Sequence, residues 1–344
     1  MDSDTQVIAR HAIRIEQENH GLCKYSLLQQ LGSLPESVVH GGLIFGSGLE
    51  NAIDVIEAWG RCYPVFGNSA EVLRCVNNAR QFFALLETLG ISYPETRFNP
   101  PQSDDLNWLV KQQRSTGGTH IQHFYLGSHA VTPNSYFQRF IMGTPVSLLF
   151  LANGNDMIQV GFNTQWIISQ SHLPFVYRGA VNRTRLSPGQ RQEISDYAAS
   201  LTTTLSLRGL NTLDCILTQN GVQVLELNPR PGATLSLYDG DQAEGLLELH
   251  IQACKGKLPA QKNLRTSSVR AHEIVYADRP VTIAENIVWP RWSADRPMSG
   301  TYIETGNPIC TTQAEAVDAA TVCRKLDCYK QQISSQLNQS MEAA

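Results

Sequence analysis

The chain of 344 residues is 42% hydrophobic and carries a formal net charge of −4 at pH 7. This length suits two or three packed subdomains, and the charge gives no reason to expect nucleic acid or an anionic membrane as a partner. No apolar run approaches the roughly 20 residues that span a bilayer, and the polar N-terminal stretch is not typical of a secretory signal. Eight scattered cysteines without a Cys-x-x-Cys pair indicate reduced thiols and a cytoplasmic protein.

An open α/β arrangement is predicted for the first part of the chain. Apolar residues 38–45, the sequence GSG at 46–48 and a helical pattern at 49–59 are typical of a strand, a tight turn and a helix. A dinucleotide site is the alternative for this turn. The third glycine of that fingerprint would fall at Asn51, so a plain strand–helix turn is favoured.

Helical and β-rich segments alternate along the rest of the chain. One helix with an apolar stripe is predicted over residues 70–90, ended by Gly90, and another begins at the Ser187-Pro188 cap. The other predicted elements are two short strands around a small-residue loop (107–124), a β-meander (136–169), a helix near 243–254, and a β-rich tail with a helix at 313–326. The last dozen residues are polar and are expected to fray.

The segment TLDCILTQNGVQVLELNPRPG, residues 212–232, carries acids inside apolar strands. It is predicted to form a hairpin around the sequence QNG. A two-residue Asn-Gly loop would pair 219 with 222 and set Asp214 and Glu226 on opposite faces. A three-residue loop would pair 218 with 222 and bring the two acids opposite each other.

If the acids share one face, a cation or a proton must stabilise the pair. Two carboxylates about 4 Å apart repel by roughly 4 kcal/mol at an effective dielectric near 20. Mg²⁺ is the natural cation because it takes oxygen ligands, and Asn228 on the same face as Glu226 would add a carbonyl oxygen. The competing interpretation is a structural ion pair between Glu226 and Arg230 without any chemistry.

Two other segments could contact a nucleotide. Lys111 ends a predicted strand shortly before the sequence STGGT at 115–119, where glycines would let backbone N–H groups approach phosphate oxygens. The lysine precedes the glycines, so the order does not match the P-loop, and such a loop alone is weak evidence. The apolar strand QRFIMG at 138–143 could hold adenine, although by itself it is typical of a core strand.

In this order the segments resemble the ATP-grasp superfamily of carboxylate–amine ligases and related ATP-dependent enzymes, over roughly residues 38–250. The hairpin resembles the Mg²⁺-binding hairpin of that superfamily. The resemblance implies an α/β (α+β) ATP-grasp fold with an open α/β pre-grasp domain and a β-rich C-terminal extension. Its predicted parts are a pre-grasp domain (1–75), a small subdomain with a glycine-rich lid (76–145), a large subdomain with the metal hairpin (146–250), and the extension with a terminal helix (251–344).

The resemblance also implies roles for individual residues. Mg²⁺, with Mn²⁺ as an alternative, would be held by Asp214, Glu226 and Asn228. Arg230 would face the transferred phosphoryl group, and Lys111 would act with it in catalysis. The residues implied as ATP contacts are Arg80, Lys111, Ser115, Gly117, Gly118, Gln138, Phe140 and Ile141. The acidic residue usual in the hinge has no obvious counterpart, because Gln and Arg stand at 138–139.

The implied activity is ATP-dependent amide formation from a small-molecule carboxylate and an amine through an acyl phosphate. The tail sequence ADRPMSGTYIETGNPICTT is similar to a small archaeal and bacterial branch, one of whose members joins glutamate to tyramine in methanofuran synthesis. This similarity favours addition of glutamate or another amino acid to a one-carbon cofactor of the methanofuran or methanopterin type. The alternatives are a biotin-carboxylase-like enzyme that activates bicarbonate and a non-catalytic nucleotide-binding regulator. A homodimer is a further expectation, and His120 and His123 beside the lid are interpreted as structural.

Overall fold

The computed structural model describes residues 17–18, 21–22, 24–34, 41–102, 107–115, 117–126, 131–170, 173–260 and 268–342. It forms two compact units. The larger unit holds the described residues within 15–177 and 184–265, and the smaller unit holds residues 178–183 and those from 268 onward. The described helices include none that is long and apolar enough to cross a membrane. Every described cysteine is a free thiol, and Cys23 lies outside the described residues.

The larger unit begins with helix Lys24–Gly32 and an α/β crossover. Strands Leu43–Ile44 and Val65–Phe66 are parallel, as in the open α/β arrangement expected for this region, although the second strand was not predicted. They are joined by the 3₁₀ helix Leu49–Asn51 and helix Ile53–Gly60, so the regular helix begins later than residue 49. The first residues of the predicted strand, 38–40, lie outside the described residues. A short strand pair, Gln17–Glu18 with Gly21–Leu22, also belongs to this unit.

The single helix predicted over residues 70–90 is wrong, because two helices, Ala70–Val76 and Ala79–Thr88, occupy this region. Asn78 has extended backbone angles, and its side chain accepts a hydrogen bond from the backbone N–H of Gln81 at 3.1 Å. This N-cap starts a second helix where the apolar stripe alone indicates continuity. Gly90 follows the second helix in a left-handed conformation, with φ of 66°, as predicted for a helix stop.

A four-stranded antiparallel sheet follows, in which the predicted pair of strands at 107–124 is confirmed. The strand order is Thr96–Arg97, Ser135–Arg139, Trp108–Gln112 and Gln122–His123. The predicted meander over 136–169 is divided between two sheets, because the chain leaves this sheet after residue 139. At Gly143 a β-carbon would lie 2.5 Å from the carbonyl oxygen of Leu217, so only glycine allows this crossing.

The second sheet of the larger unit contains the predicted metal hairpin. Its antiparallel strands run in the order Gly221–Asn228, Arg208–Thr218, Thr144–Asn153 and Met157–Gln170. Helix Pro188–Leu205 begins with the predicted cap, a capping box between Ser187 and Gln190. Its Ile194 and Leu201 are fully buried in one core with Leu148, Phe150 and Leu213 of the sheet. The remaining elements of this unit are the 3₁₀ helices Ala233–Leu237 and Asp239–Asp241 and helix Leu246–Cys254.

The smaller unit is β-rich and ends in a long helix. Strand Leu173–Val181 enters this unit at residue 178 and pairs there with Val269–Tyr276, which pairs in turn with Pro308–Ala316. The other strands are Val281–Thr282, Ser293–Ala294 and Tyr302–Ile303. The helix predicted at 313–326 is misplaced, since it runs from Ala319 to Glu342. The helix continues through Ile333 and Leu337, which are buried in the core of this unit, so the fraying expected for the last dozen residues does not include these two.

Candidate active site

The hairpin that carries the two acids closes with a two-residue turn. Thr218 pairs with Gly221, so the predicted turn, which paired residue 222 with 218 or 219, is wrong. The physical reason is local. The hydroxyl of Thr218 accepts a hydrogen bond from the N–H of Asn220 and donates one to the carbonyl oxygen of Gly221, both at 3.0 Å. Gly221, with φ of 119°, lets the chain re-enter the ladder immediately.

A β-bulge at Leu225 then restores the register that the acid pair needs. The ladder runs from Cys215 opposite Val224 to Asp214 opposite Glu226, which leaves Leu225 unpaired. Thr212 consequently faces Asn228. The predicted pairing of residues 214 with 226 and 212 with 228 is therefore confirmed, although it arises from a different turn.

The two carboxylates and the amide are in direct contact. Asn228 donates from Nδ2 to Asp214 Oδ2 at 2.9 Å and to Glu226 Oε1 at 3.0 Å. Gln165 donates from Nε2 to Asp214 Oδ1 at 2.8 Å. All four side chains line one large cavity of about 610 Å³. The oxygens of the two acids thus converge on one wall, as the Mg²⁺ hypothesis requires.

The pKa values of the two paired acids are shifted in opposite directions. Burial raises the pKa of Asp214 well above its usual range, and the charge of Glu226 raises it further. Glu226 has an exposed surface, but that surface opens into the cavity, where the surrounding protein would raise its pKa by desolvation. Hydrogen bonds from Asn228 and Asp214, with the charges of Lys111 and His120, outweigh desolvation and lower the pKa of Glu226. A proton shared by the pair would therefore reside on Asp214 rather than on Glu226.

Arg230 is not the partner of Glu226. Its Nε donates to Glu50 Oε1 at 2.9 Å in an ion pair whose side chains are 8% and 7% exposed. Its Nη2 donates to Asn228 Oδ1 at 2.9 Å. This geometry excludes the structural ion pair between Glu226 and Arg230, and it fixes the guanidinium at the edge of the large cavity, which Arg230 lines.

Lys111 lies in the same cavity, at the end of the strand where it was predicted. Its side chain is 7% exposed, and its Nζ donates to Gln138 Oε1 at 2.7 Å. Gln138 donates in turn from Nε2 to Thr96 Oγ1 at 3.1 Å, so its side chain orients the lysine. Burial lowers the pKa of Lys111 to about 8, against the opposing influence of Glu226. The lysine is therefore positively charged at neutral pH, and it forms no ion pair with another described residue.

The predicted lid loop lies against the strand Leu173–Val181. Gly117 accepts a hydrogen bond at its carbonyl oxygen from the N–H of Tyr177 at 2.9 Å. Gly117 and Gly118 have left-handed φ angles of 70° and 76°, and a β-carbon at Gly118 would lie 1.9 Å from the carbonyl oxygen of Phe175. Both glycines line the large cavity, so their close approach to this strand shapes its wall.

The predicted hinge lines the apolar end of the large cavity. The ring of Phe140 lies 5.3 Å from that of His123 and 5.8 Å from that of Phe175, centroid to centroid. Phe140 and Ile141 both line the cavity. The backbone of Ile141 makes no hydrogen bond to another described residue, so its N–H and C=O are available to a ligand in the cavity.

A small cavity of about 80 Å³ lies next to the large one. His120, Leu225, Glu226 and Asn228 line both cavities, so the acid–amide cluster is part of their common wall. Ser115, a predicted ATP contact, lines only the small cavity. Arg80 lines neither cavity, because its exposed guanidinium lies over the ring of Phe98 at 4.2 Å. Its role as a phosphate contact stays a prediction without support from this geometry.

Three side chains of the site were missed by sequence reasoning. Glu50 and Gln165 bind Arg230 and Asp214, and neither was given a role from the sequence. His120 was interpreted as structural, yet its buried Nδ1 has no hydrogen-bond partner and its side chain lines both cavities. Burial lowers the pKa of His120 to about 4, so the imidazole is neutral. Only its proximity to the lid was visible from the sequence.

The residues present suit a magnesium ion only through a mixed ligand set. Among the described residues there is no group of three or more His, Cys, Asp and Glu side chains that could hold a metal. Two carboxylates and one amide oxygen do suit Mg²⁺, which retains water or phosphate oxygens as its other ligands. Asn228 turns its amide nitrogen toward the acids, so it could ligate through Oδ1 after rotation of that amide.

Comparisons with known proteins give a domain match and a shared fold. A family model described as an ATP-grasp domain matches residues 76–234, and no curated protein matches the chain. A biotin carboxylase–βγ-ATP complex from Campylobacter jejuni has 12% identity over 83% of this chain and 72% of that chain, with a TM-score of 0.64. An N5-carboxyaminoimidazole ribonucleotide synthetase from Thermotoga maritima has 14% identity over 86% and 82%, with a TM-score of 0.63.

Pyruvate carboxylase from Rhizobium etli is also similar, with 14% identity and a TM-score of 0.67. The match covers 83% of this chain and 29% of that chain, so the present chain spans less than a third of that enzyme. At these identities the solved structures show a common fold. The family match covers residues 76–234, somewhat less than half of the chain, and the solved structures show that the chain shares the fold of these enzymes.

Proposed function

We propose that this protein is an ATP-dependent carboxylate–amine ligase that forms an amide through an acyl phosphate. The observation that carries the proposal is the convergence of Asp214, Glu226 and Asn228 on the wall of a cavity large enough for a nucleotide. Lys111 and Arg230 supply cations to the same cavity. A polar end with acids and cations beside an apolar end is the arrangement that Mg-ATP needs.

The nucleotide is assigned to the large cavity with its base at the hinge. Phe140 and Ile141 offer an apolar surface there, and the backbone of Ile141 offers hydrogen-bonding groups of the kind that adenine pairs with. The phosphates would extend toward Lys111, whose ammonium donates to anionic oxygens. Asp214, Glu226 and Asn228 would hold Mg²⁺, or Mn²⁺, and the ion would neutralise charge on the phosphate oxygens.

The proposed reaction has two steps. An oxygen of the substrate carboxylate attacks the γ-phosphorus of ATP, the bond to the β–γ bridging oxygen breaks, and ADP leaves. The amine nitrogen then attacks the acyl carbon, phosphate leaves, and the amine releases one proton. Lys111 and Arg230 would stabilise the charge that spreads over the transferred phosphoryl oxygens.

The lid loop would protect the acyl phosphate from hydrolysis. The glycines at 117–118 lie against the strand that carries Phe175 and Tyr177, which covers one side of the cavity. A covered cavity excludes water, which otherwise competes with the amine for the acyl carbon. The loop therefore favours transfer to an acceptor over simple ATP hydrolysis.

A bicarbonate-activating enzyme is the second candidate. It is favoured by the fold shared with biotin carboxylase and N5-carboxyaminoimidazole ribonucleotide synthetase. Both candidates use the same nucleotide site and differ in the carboxylate. Turnover that requires bicarbonate and no other acid would select this second candidate.

The experiment that tests the proposal compares two Glu→Gln variants. Glu226→Gln removes one negative oxygen from the cluster, whereas Glu244→Gln makes the same chemical change at an exposed position that lines neither cavity. Calorimetric titration with Mg-ATP should show affinity reduced at least tenfold in the first variant and unchanged in the second. A Glu226→Gln protein that binds Mg-ATP normally and only melts earlier would refute the proposed metal site.

Turnover is then measured as ADP release with pairs of carboxylates and amines. The panel begins with glutamate, since the tail resembles the branch that joins this amino acid to tyramine. Release of ADP that depends on both an acid and an amine supports the ligase. Tight Mg-ATP binding without release under any condition would favour the non-catalytic regulator.

A further inference from the structure

Glu50, a residue that lines the small cavity, has a buried carboxylate oxygen without a hydrogen-bond partner among the described residues. Glu50 is 6% exposed and lines this cavity, and its Oε2 has no hydrogen-bond partner. The other oxygen, Oε1, accepts from Arg230 at 2.9 Å. Leaving a buried charged acceptor unpaired costs more than leaving a neutral one unpaired. A ligand that donates a hydrogen bond to this oxygen would therefore be stabilised.

Two side-chain hydrogen bonds hold the short helix that carries Glu50. Asn77 donates from Nδ2 to the carbonyl oxygen of Glu50 at 3.0 Å, and Asn51 donates from Nδ2 to that of Arg114 at 3.0 Å. These amide donors of the cavity wall are thus already committed to protein acceptors. Arg114 lines the cavity too, but it is exposed and forms no ion pair with Glu50.

A second unpaired buried atom belongs to another residue that lines this cavity. The buried Nδ1 of His120 has no partner, and His120 lines the small cavity together with Glu226. The wall therefore combines one unpaired carboxylate oxygen, one unpaired imidazole nitrogen and a second carboxylate. A primary ammonium group has three N–H donors and no acceptor, which matches such a wall.

The size and position of the cavity agree with this ligand class. A volume of about 80 Å³ exceeds the roughly 10–15 Å³ that one water occupies on a comparable measure. The common wall with the large cavity is formed by residues that include Glu226 and Asn228. An ammonium group held in the small cavity would therefore lie beside the site assigned to the phosphates, and its nitrogen would attack the acyl carbon after it has lost one proton to water.

We propose that the small cavity binds the primary ammonium group of the acceptor substrate, with Glu50 Oε2 as its anionic contact. This inference rests on the proposed ligase function and deepens it, since it assigns the second substrate to a separate cavity. It also gives Glu50 two roles on its two oxygens. One oxygen positions Arg230, and the other binds the amine.

The test uses rubidium, a monovalent cation that scatters anomalously, as a stand-in for an ammonium group. Crystals of the full chain soaked in rubidium chloride should show an anomalous peak in the small cavity, in contact with Glu50. Methylammonium chloride should displace the peak. Tetramethylammonium chloride, which has no N–H donor, should not displace it. The absence of a peak, or displacement by both ammonium compounds alike, overturns the inference.

Glu50→Gln is the matched variant. Its carbonyl oxygen can still accept from Arg230, while an NH₂ group replaces the unpaired oxygen, so rubidium should no longer bind. A peak that persists in this variant overturns the inference, and so does a peak at Asp214 and Glu226 alone. Calorimetry with Mg-ATP separates the two proposals. Mg-ATP binding without a rubidium site contradicts only this inference, whereas loss of Mg-ATP binding in the unmodified protein contradicts the proposed function itself.

Discussion

Replacement of Gly118 by alanine is expected to release the lid loop, and Gly117→Ala is its matched control. Both glycines have left-handed φ angles, 76° and 70°. A β-carbon at Gly118 would lie 1.9 Å from the carbonyl oxygen of Phe175, whereas at Gly117 it would meet no atom within 4 Å. The two variants therefore share the backbone strain and differ in the collision.

The expected magnitudes follow from these two contributions. A left-handed conformation costs alanine roughly 1–2 kcal/mol. The collision at Gly118 involves backbone atoms, so the loop must move, and the hydrogen bond from Tyr177 N–H to Gly117 is lost. That bond contributes about 1 kcal/mol. The loop should open more easily by about 2–3 kcal/mol in Gly118→Ala and by about 1–2 kcal/mol in Gly117→Ala.

Hydrogen exchange at the amide of Tyr177 measures this difference, since that N–H is the donor to the loop. A gap of about 1 kcal/mol corresponds to roughly fivefold faster exchange in Gly118→Ala than in Gly117→Ala. Mg-ATP should slow exchange in the control more than in Gly118→Ala. Equal protection of Tyr177 in both variants would refute the close approach to Phe175 as the constraint on the loop.

Three further predictions concern titration and packing. Burial lowers the pKa of Lys111 from 10.5 to about 8. Between these two pH values the unfolded chain binds more protons than the folded chain, so the free energy of unfolding should rise with pH. Lys111→Met should remove this rise. Burial also lowers the pKa of His250, whose Nδ1 accepts from Leu210 N–H at 2.8 Å. Its stabilisation is complete above the unfolded value of about 6.5 and is lost as the pH falls, so urea titrations of His250→Gln should show a shallower acid limb, and parallel limbs would contradict this. Leu337→Ala should lower the free energy of unfolding by about 2–4 kcal/mol, because the side chain is buried; a change below about 0.5 kcal/mol would indicate a frayed end.

The sequence was informative where structure depends on neighbours in the chain. The capping box at Ser187 and the stop at Gly90 are local features, and both were predicted. The strand at Pro308–Ala316 was partly assigned to a helix because its stability comes from pairing with Val269–Tyr276, about forty residues away. The break at Asn78 was missed because an apolar stripe continues across it.

Among the residues of the candidate site, too, those marked by nearby sequence were predicted and one that depends on a distant partner was not. Asp214 and Glu226 were predicted as site residues because each is an acid within an apolar strand, and Lys111 because it ends a strand shortly before a glycine-rich loop. Glu50 was not, since its partner Arg230 is 180 positions away and no periodicity links them. The contact depends on how the N-terminal crossover packs within the larger unit, which a single sequence does not report.

The acid pair shows why a correct register can follow from an incorrect turn. A three-residue turn with a regular ladder and a two-residue turn with one bulged residue both place Asp214 opposite Glu226. The first adds the extra residue in the turn and the second adds it in the strand, so the count between 218 and 226 is the same. What the site requires is that the side chains of Asp214 and Glu226 face the cavity, and more than one backbone arrangement of the hairpin satisfies this requirement. Leu225, the bulged residue, lines both cavities. The extra residue thus lies beside the acids themselves and next to both the proposed nucleotide site and the proposed amine site.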